Sequence, residues 1–393
     1  MYYFLETHPF LLLIIPFVVA FLAVCWIHPQ LVKLARLKNI VDNPDSRKLQ
    51  RTPVPVLGGT AVFFGVFLGL GCLCPLLDCT RLFMVLTLMA LMLYTGTLDD
   101  IMGLSPRFRF LVEIAAVLFL VFIGNHAINN FHGLWGLEVI PVWVSTLLTV
   151  FAAVGIINAI NLIDGVNGLS SGYCVMACTI FAVYFHYTGD VTMTVLAVVC
   201  VGAVIPFFLH NVFGNTSRMF IGDGGTLVMG LVMSVFVTHV LDAGSFSVQH
   251  VGRGMGLIPF TLAVLSIPVF DTLRVMSCRM ARDTSPFQPD KTHLHHLFIE
   301  IGFSHPGTTF CILFLNTLIV GIWWLLYACG VSVDGQFYAV VLMGLLCTFG
   351  LYFGVKALPK KGSIYRFLRR MAVVSHIERK GFYSWLQRVM DKV

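Results

Sequence analysis

Four groups of polar residues interrupt the long apolar stretches of this 393-residue chain. A polar group at a membrane boundary must be hydrated, paired or in use, so we treat the four groups as candidate parts of one site. The groups are Asp99-Asp100; Asn158-Ala-Ile-Asn161-Leu-Ile-Asp164-Gly-Val-Asn167; Asn211 to Thr226, with Gly222-Asp223-Gly224-Gly225; and Asp271 to His296, ending in His293-Leu-His295-His296.

The first two groups bring carboxylates to helix ends. Asp99 and Asp100 repel one another unless a cation or a shared proton relieves them. The alternative is a salt-bridged pair with Arg107 or Arg109 that only ends the helix. In the second group, carboxamides and one carboxylate recur at every third position, which on a helix keeps neighbours on one slowly drifting stripe. Glycines then let the backbone leave the helix close to Asp164.

The last two groups suit phosphate. The Gly-Asp-Gly-Gly-Thr turn resembles an anion nest at a helix N-terminus, but it lacks the lysine of a P-loop, which disfavours a nucleotidase. Histidines at 293, 295 and 296 can ligate a transition metal or donate to phosphate oxygens. The alternative is a surface loop that happens to be rich in histidine.

Carboxylates beside cationic loops favour a divalent metal that holds a polyphosphate. Magnesium prefers a few carboxylates, waters and substrate phosphates, which Asp99, Asp100, Asp164 and Asp223 match. The spacing therefore predicts a phosphoryl-transfer site with a membrane-dissolved partner. Lys48 and Arg51, near residues Pro53 to Gly59, either meet an anionic ligand or anchor the first inner loop at the membrane.

The elements that position these residues are membrane helices. The chain is 58% hydrophobic and 11% charged, with a mean hydropathy of +0.88, whereas soluble domains have about 25% charged residues. We predict an all-α polytopic membrane protein with about 11 transmembrane helices, since roughly 20 apolar residues cross a bilayer. These spans are expected at about 10–27, 56–77, 82–98, 110–125, 142–157, 169–187, 192–213, 226–241, 256–273, 308–329 and 337–355.

Lysine and arginine set the predicted orientation. With the N-terminus outside and the C-terminus cytoplasmic, all of the 25 basic residues except Arg81 and Arg253 fall on inner segments. The four polar groups then follow spans 3, 5, 7 and 9 and emerge on the same cytoplasmic face. The basic residues flank spans and form no stripe with stacking aromatics, so we expect a lipid bilayer as partner and no nucleic acid.

We predict a membrane domain over residues 1–355 and a basic amphipathic cytoplasmic tail over 356–393. The tail is expected to lie on the inner membrane surface as an anchor without a catalytic role. Its apolar residues at helical spacing are Ile364, Phe367, Leu368, Met371 and Val374.

Together these motifs resemble four signatures of the polyprenyl-phosphate N-acetylhexosamine-1-phosphate transferase family, of glycosyltransferase 4 type. They are Asp99-Asp-Ile-Met-Gly-Leu104, Asn158 to Leu169, Phe220-Ile-Gly-Asp-Gly-Gly225 and His293-Leu-His-His296. The resemblance covers about residues 30–310. It implies transfer of a sugar 1-phosphate from a UDP-sugar to a polyprenyl phosphate, releasing UMP, with Mg²⁺ and with Mn²⁺ as a substitute.

The resemblance also implies a branch. Pro268-Val-Phe-Asp271-Thr and the His-Leu-His-His form look more like the undecaprenyl-phosphate N-acetylglucosamine-1-phosphate transferases of surface polysaccharide synthesis, in the plasma membrane. The alternatives are the phospho-MurNAc-pentapeptide transferase of peptidoglycan synthesis and, from the spans alone, a transporter or lipid flippase. A homodimer is a family expectation.

Individual roles follow from matching positions. Asp99 and Asp100 match paired aspartates thought to handle the lipid phosphate, Asp223 matches the metal-binding aspartate, and Asp164 matches the other essential acid, next to the metal. Phe220 matches an aromatic that packs on uracil. Substrate contacts are implied for Lys48, Arg51, Asn161, Asn167, Asn211, Phe220, His293, His295 and His296.

The chain also departs from the family pattern. Asn167 stands where many relatives have Asp, Gln50 where the first inner loop often has His, and Val56 where a basic residue is common. These departures concern nucleotide binding and leave the predicted reaction class unchanged.

Overall fold

The computed structural model describes residues 10–42, 52–72, 79–285, 291–376 and 381–392, and the fold there is nearly all α-helical. Lys48, Gln50 and Arg51 lie outside the described residues. The exception to the helical fold is a small antiparallel hairpin, β1 (Val41–Asp42) with β2 (Val54–Pro55). The predicted all-α class is therefore confirmed in its main features.

The first eight helices carry three of the four polar groups. They are α1 (Leu11–Leu37), α2 (Gly58–Gly71), α3 (Cys79–Met102), α4 (Pro106–Phe122), α5 (Val142–Leu162), α6 (Leu169–Thr188), α7 (Val191–Phe213) and α8 (Gly222–Leu241).

The remaining helices carry the histidine motif and the tail. They are α9 (Phe246–Gln249), α10 (Leu257–Val264), α11 (Ser266–Met280), α12 (Leu294–Ile301), α13 (His305–Ala328), α14 (Val333–Ala357, with a π-helical stretch at Leu346–Gly350), α15 (Ser363–Val374) and α16 (Gly381–Met390).

Multiple membrane spans are present. Within the described residues, eight helices are long and apolar enough to cross a bilayer, and the pair α10 and α11, bent by 75°, makes a ninth candidate. The spans predicted at 56–77 and 110–125 correspond to the shorter helices α2, of 14 residues, and α4, of 17 residues. A 14-residue helix rises only about 21 Å against a hydrocarbon core of about 30 Å, so the count of eleven stays a prediction.

Helix α8 is the central element. Every residue from Gly224 to Leu241 is buried, and α2, α3 and α5 pack around it. Such a helix is apolar on all sides because protein contacts it on all sides. Its N-terminus, which carries Asp223, is therefore held in place by the surrounding helices.

Gly58 and Gly59 bring the start of α2 close to that N-terminus. Their backbone N–H groups donate to the carbonyl oxygens of Phe220 at 3.0 Å and Ile221 at 2.8 Å. A Cβ on Gly59 would collide with the backbone of Gly225. The absence of side chains thus lets α2 and α8 touch backbone to backbone.

Candidate active site

A cavity of about 830 Å³ opens where the ends of α3, α5 and α7 meet the start of α8. It brings together residues from the four polar groups of the sequence, with β2 and α16 also contributing to its wall. Eight of the predicted site residues line it: Asp100, Asn161, Asp164, Asn167, Asn211, Phe220, Asp223 and His296.

The two neighbouring aspartates of α3 occupy different places. Asp100 lines the cavity, whereas Asp99 is not part of its wall. The Asp99 carboxylate accepts the backbone N–H of Leu104 at 2.7 Å and pairs with Arg109 at 3.0 Å. Asp99 therefore lies one layer behind the cavity, in the salt bridge that the sequence left open as an alternative.

The predicted anion nest at the start of α8 is occupied by a protein group. The backbone N–H groups of Asp223 and Gly224 donate to the Asp100 carboxylate at 3.0 and 3.2 Å. A helix N-terminus carries a partial positive charge that stabilises such an anion. The start of α8 thus holds the Asp100 side chain at the cavity wall.

Asp223 is held by side chains from two other helices. The Asn161 carboxamide donates to the Asp223 carboxylate at 2.7 Å and to the Thr226 hydroxyl oxygen at 2.8 Å. The second Asp223 oxygen lies 3.6 Å from the guanidinium of Arg109. This frame sets the rotamer of Asp223 and leaves its side chain 33% exposed toward the cavity.

Arg109 was considered in the sequence only as a helix-ending partner of Asp99. It also approaches Glu113 at 3.5 Å, and Glu113 is fully buried and accepts from Asn158 at 2.5 Å. One guanidinium therefore compensates carboxylates on α3, α4 and α8. An arginine four residues before a glutamate in an apolar helix is a signal that could have indicated this network.

Asp164 lies in the break between α5 and α6 and faces the cavity. The Ser170 hydroxyl donates to its carboxylate at 2.6 Å. Asp164 is open to the cavity, but the surrounding protein separates it from bulk water. This desolvation raises the pKa of Asp164 to about 6, although the hydrogen bond from Ser170 acts to lower it. An anionic carboxylate there at neutral pH is a ready oxygen ligand for a cation.

The histidine motif is organised by Asp271. Its carboxylate pairs with His293 at 3.0 Å and with Arg274 at 2.7 Å, and it accepts the backbone N–H of Leu294 at 3.1 Å. This clamp holds the start of α12, and of the three histidines only His296 lines the cavity. His293 and His295 are buried, which places them in support of the wall.

His295 packs against the backbone of Gly165, where a Cβ would occupy the space of the imidazole. Burial and the neighbouring rings of His296 and His293 hold the pKa of His295 well below its usual value, so the ring is neutral. A glycine at position 165 is thus required by the packing of His295 as well as by the turn after Asp164.

Gly165→Ala is expected to lower turnover about tenfold to a hundredfold, because the displaced imidazole shifts Asp164 on one side and His296 on the other. Steady-state rates of the purified variant test this. Gly155→Ala is the matched control, since a Cβ there meets nothing within 4 Å. Equal rates for both variants would show that the contact between Gly165 and His295 does not position the site.

Asn211 connects two loops of the cavity wall. Its carboxamide oxygen accepts the N–H of Gly168 at 2.6 Å, and its nitrogen donates to the carbonyl of Met219 at 2.8 Å. Asn167 is held by its backbone, which donates to His305 at 3.2 Å and accepts from Thr309 at 3.0 Å. The structure therefore gives Asn211 a scaffolding role in addition to the predicted substrate contact.

Several residues of the cavity wall were not singled out as site residues in the sequence. Arg218 stands two positions before Phe220, in the loop of residues 214–221, and was counted only as an inner-loop charge. His305 begins α13, and the tail helix α16 was expected only to anchor. These additional lining residues are Asp42, Arg218, His305, Tyr383 and Gln387.

The chemistry of the wall fits Mg²⁺. Among the described residues, the cavity wall carries four carboxyl groups, those of Asp42, Asp100, Asp164 and Asp223, and one guanidinium, that of Arg218. A bound diphosphate would therefore need a cation between it and the carboxylates. No group of three or more His, Cys, Asp or Glu side chains is arranged to enclose a metal within the searched, described residues. Mg²⁺ needs no such group, because it keeps waters and takes phosphate oxygens as ligands.

Comparison with known proteins places this chain in a family. Residues 82–240 match the family described as glycosyl transferase family 4. The chain is 24% identical over 348 residues to the undecaprenyl-phosphate alpha-N-acetylglucosaminyl 1-phosphate transferase of Escherichia coli K12, covering 86% of this chain and 89% of that protein.

A second relative is more similar over a shorter alignment. The chain is 30% identical over 296 residues to a probable undecaprenyl-phosphate N-acetylglucosaminyl 1-phosphate transferase of Bacillus subtilis strain 168, covering 75% of this chain and 79% of that protein. The aligned lengths extend well beyond the motif regions. With these alignments, and with the four motifs gathered at one cavity, the chain belongs to glycosyl transferase family 4.

Proposed function

We propose that this protein transfers N-acetylglucosamine 1-phosphate from UDP-N-acetylglucosamine to undecaprenyl phosphate and releases UMP, starting a lipid-linked cell-surface polysaccharide. The observation that carries the proposal is that Asp100, Asp164 and Asp223 line the same cavity as Arg218 and Phe220. Its carboxylates suit a cation-bound diphosphate, and its aromatic ring suits a planar base. The names of the E. coli and B. subtilis relatives support the same donor sugar and the same lipid.

The reaction exchanges one P–O bond for another. A phosphate oxygen of the lipid attacks the β-phosphorus of the UDP-sugar, and the bond from that phosphorus to the bridging oxygen breaks, so that UMP leaves with the electron pair. A phosphate monoester has its second pKa near 6 and is already largely ionised at neutral pH. The lipid phosphate therefore needs positioning more than deprotonation.

The protein's own part is to hold and orient. Asp100 is fixed by the start of α8, and Asp223 by Asn161, so both carboxylates face the cavity in one arrangement. With Asp164 they would hold Mg²⁺, which when bound neutralises charge on the diphosphate and on departing UMP. Arg109 stabilises Asp99 and Asp223 from behind the wall.

The membrane arrangement is part of the proposal. Eleven spans with the N-terminus outside put the cavity on the cytoplasmic side of the plasma membrane, where UDP-sugars are made. The distribution of lysine and arginine supports this orientation. We also propose a homodimer, on the basis of family resemblance.

Purified protein is expected to release UMP from UDP-N-acetylglucosamine only when both Mg²⁺ and undecaprenyl phosphate are present. Chelation should abolish release, and added Mg²⁺ or Mn²⁺ should restore it. The measurement is UMP formation, with the mass of the lipid product recorded in parallel. A product heavier by GlcNAc-1-phosphate supports the proposed donor.

Other outcomes separate the alternatives. UMP release without lipid would make the protein a hydrolase. Activity only with UDP-MurNAc-pentapeptide would place it in the peptidoglycan branch. Substrate counterflow in sealed vesicles without chemical change would support a transporter.

A further inference from the structure

Helix α16 and the residue that follows it reach back to the active-site cavity. Tyr383 and Gln387 line the cavity, and the Tyr383 hydroxyl donates to the carbonyl of Val212 at 2.7 Å. The Tyr383 ring also contacts Phe213, with 5.0 Å between ring centroids. The helix is thereby docked on the end of α7.

The two faces of α16 differ. Tyr383, Gln387 and Asp391 are spaced by four residues and so share one face, which is turned to the protein. Tyr383 is only 8% exposed, whereas Phe382 and Trp385 on the other face are 70% and 52% exposed. A helix that only lay on the membrane surface would not need Tyr383 and Asp391 on the face turned to the protein.

Asp391 caps the loop of residues 214–221. One carboxylate oxygen accepts the backbone N–H groups of Asn215 at 2.9 Å, Thr216 at 2.9 Å and Ser217 at 3.1 Å, and the Ser217 hydroxyl at 3.3 Å. Although burial acts in the opposite direction, these donors lower the pKa of Asp391 below its usual value. The carboxylate is therefore charged at neutral pH, and charge-assisted bonds are the stronger kind.

The same loop is fixed from its other side by two histidines. His28 pairs with the carbonyl of Ser217 at 2.8 Å, and His210 with its hydroxyl at 3.0 Å. The loop carries Arg218 and Phe220 to the cavity wall. A cation and an aromatic ring, held by a rigid loop, suit the phosphate and the base of a nucleotide.

The preceding segment is also attached to the body. Ser375 accepts the N–H of Ser304 at 3.0 Å, and its carbonyl accepts the Ser304 hydroxyl at 2.6 Å. His376 pairs with the carbonyl of Gly302 at 3.0 Å. The tail is thus attached both beside the histidine helix α12 and at the loop of residues 214–221.

We infer that α16 is a wall of the donor-nucleotide end of the active site and that Asp391 is a positioning residue, which holds the loop carrying Arg218 and Phe220. The inference rests on the proposed function, because it assigns the nucleotide of the UDP-sugar to this end. The tail of residues 356–393 is then more than the membrane anchor predicted from its sequence.

The test separates donor from acceptor. Asp391→Ala is expected to raise KM for UDP-N-acetylglucosamine about tenfold, as loss of charge-assisted hydrogen bonds predicts. KM for undecaprenyl phosphate should change less than twofold. Asp391→Asn keeps an oxygen that accepts the same N–H groups, so it should recover most of the donor affinity. Lys392→Ala, an exposed neighbour, is the matched control and should match the unsubstituted protein.

A parallel rise in both KM values, or an unchanged donor KM in Asp391→Ala, overturns the inference. If Asp391→Ala does not yield folded protein, Asp391→Asn and Tyr383→Phe replace it, each with an expected donor KM about threefold higher. An unchanged donor KM in both overturns it equally. Failure of the proposed function is distinct, because then the unsubstituted protein itself forms no UMP and no glycolipid.

Discussion

Asp223→Asn is expected to lower UMP release about a thousandfold, the scale seen when a charge-stabilising group is removed from an active site. The substitution removes one negative charge and keeps the shape of the side chain. Asn161 can still donate to the carboxamide oxygen, so the start of α8 should remain in place. The measurement is the rate of UMP formation by purified protein, with thermal unfolding as the check on folding.

Asp283→Asn serves as the control for that experiment. Asp283 is exposed, lies outside the cavity wall and has a positive φ of 55° that asparagine tolerates well. Its rate should equal that of the unsubstituted protein. Asp223→Asn with a rate within threefold of normal would remove Asp223 from the reaction.

Arg109→Gln is expected to destabilise the protein by about 3–5 kcal/mol, because it leaves the fully buried Glu113 and the mostly buried Asp99 without their cation. Asp99, Glu113 and Asp223 all approach this guanidinium, whose side chain is 18% exposed. Activity should fall as well, since Asp223 loses one of the groups that orient it. Thermal unfolding in detergent and the rate of UMP release measure the two effects.

Two further variants sharpen this result. Arg107→Gln, two residues away and exposed, should leave both stability and rate unchanged. Arg109→Gln combined with Glu113→Gln should recover part of the stability, because the most buried of the uncompensated charges is then removed. An Arg109→Gln protein that unfolds at the normal temperature would mean that the network contributes no net stability.

Much of the site was predictable because local sequence patterns determine it. The gaps in the apolar runs located Asp100, Asn161, Asp164 and Asp223 at helix ends, and the alternation of spans put those ends on one face. Each of these inferences depends on residues that are near in sequence or on whether a membrane span is odd- or even-numbered.

The layering of the site was not predictable, because it depends on contacts between distant segments. Nothing in Asp99-Asp100 tells which carboxylate meets Arg109 and which meets the start of α8. The sequence of residues 222–225 does not indicate that the Asp100 side chain of α3 binds their backbone N–H groups. Helix α2, of 14 residues, is also shorter than the stretch of 56–77 predicted for it, so an apolar stretch does not by itself fix the length of a helix.

The contact between Asp391 and the loop of residues 214–221 has a consequence for the timing of biosynthesis. The partners are separated by 174 to 176 residues, so all helices from α8 to α15 are synthesised between the two. A nascent chain that has already inserted α3, α5 and α8 carries the acidic residues but has no cap on that loop. The cavity therefore gains its final wall only after the segment through residue 391 has been synthesised, and incomplete chains are left without it.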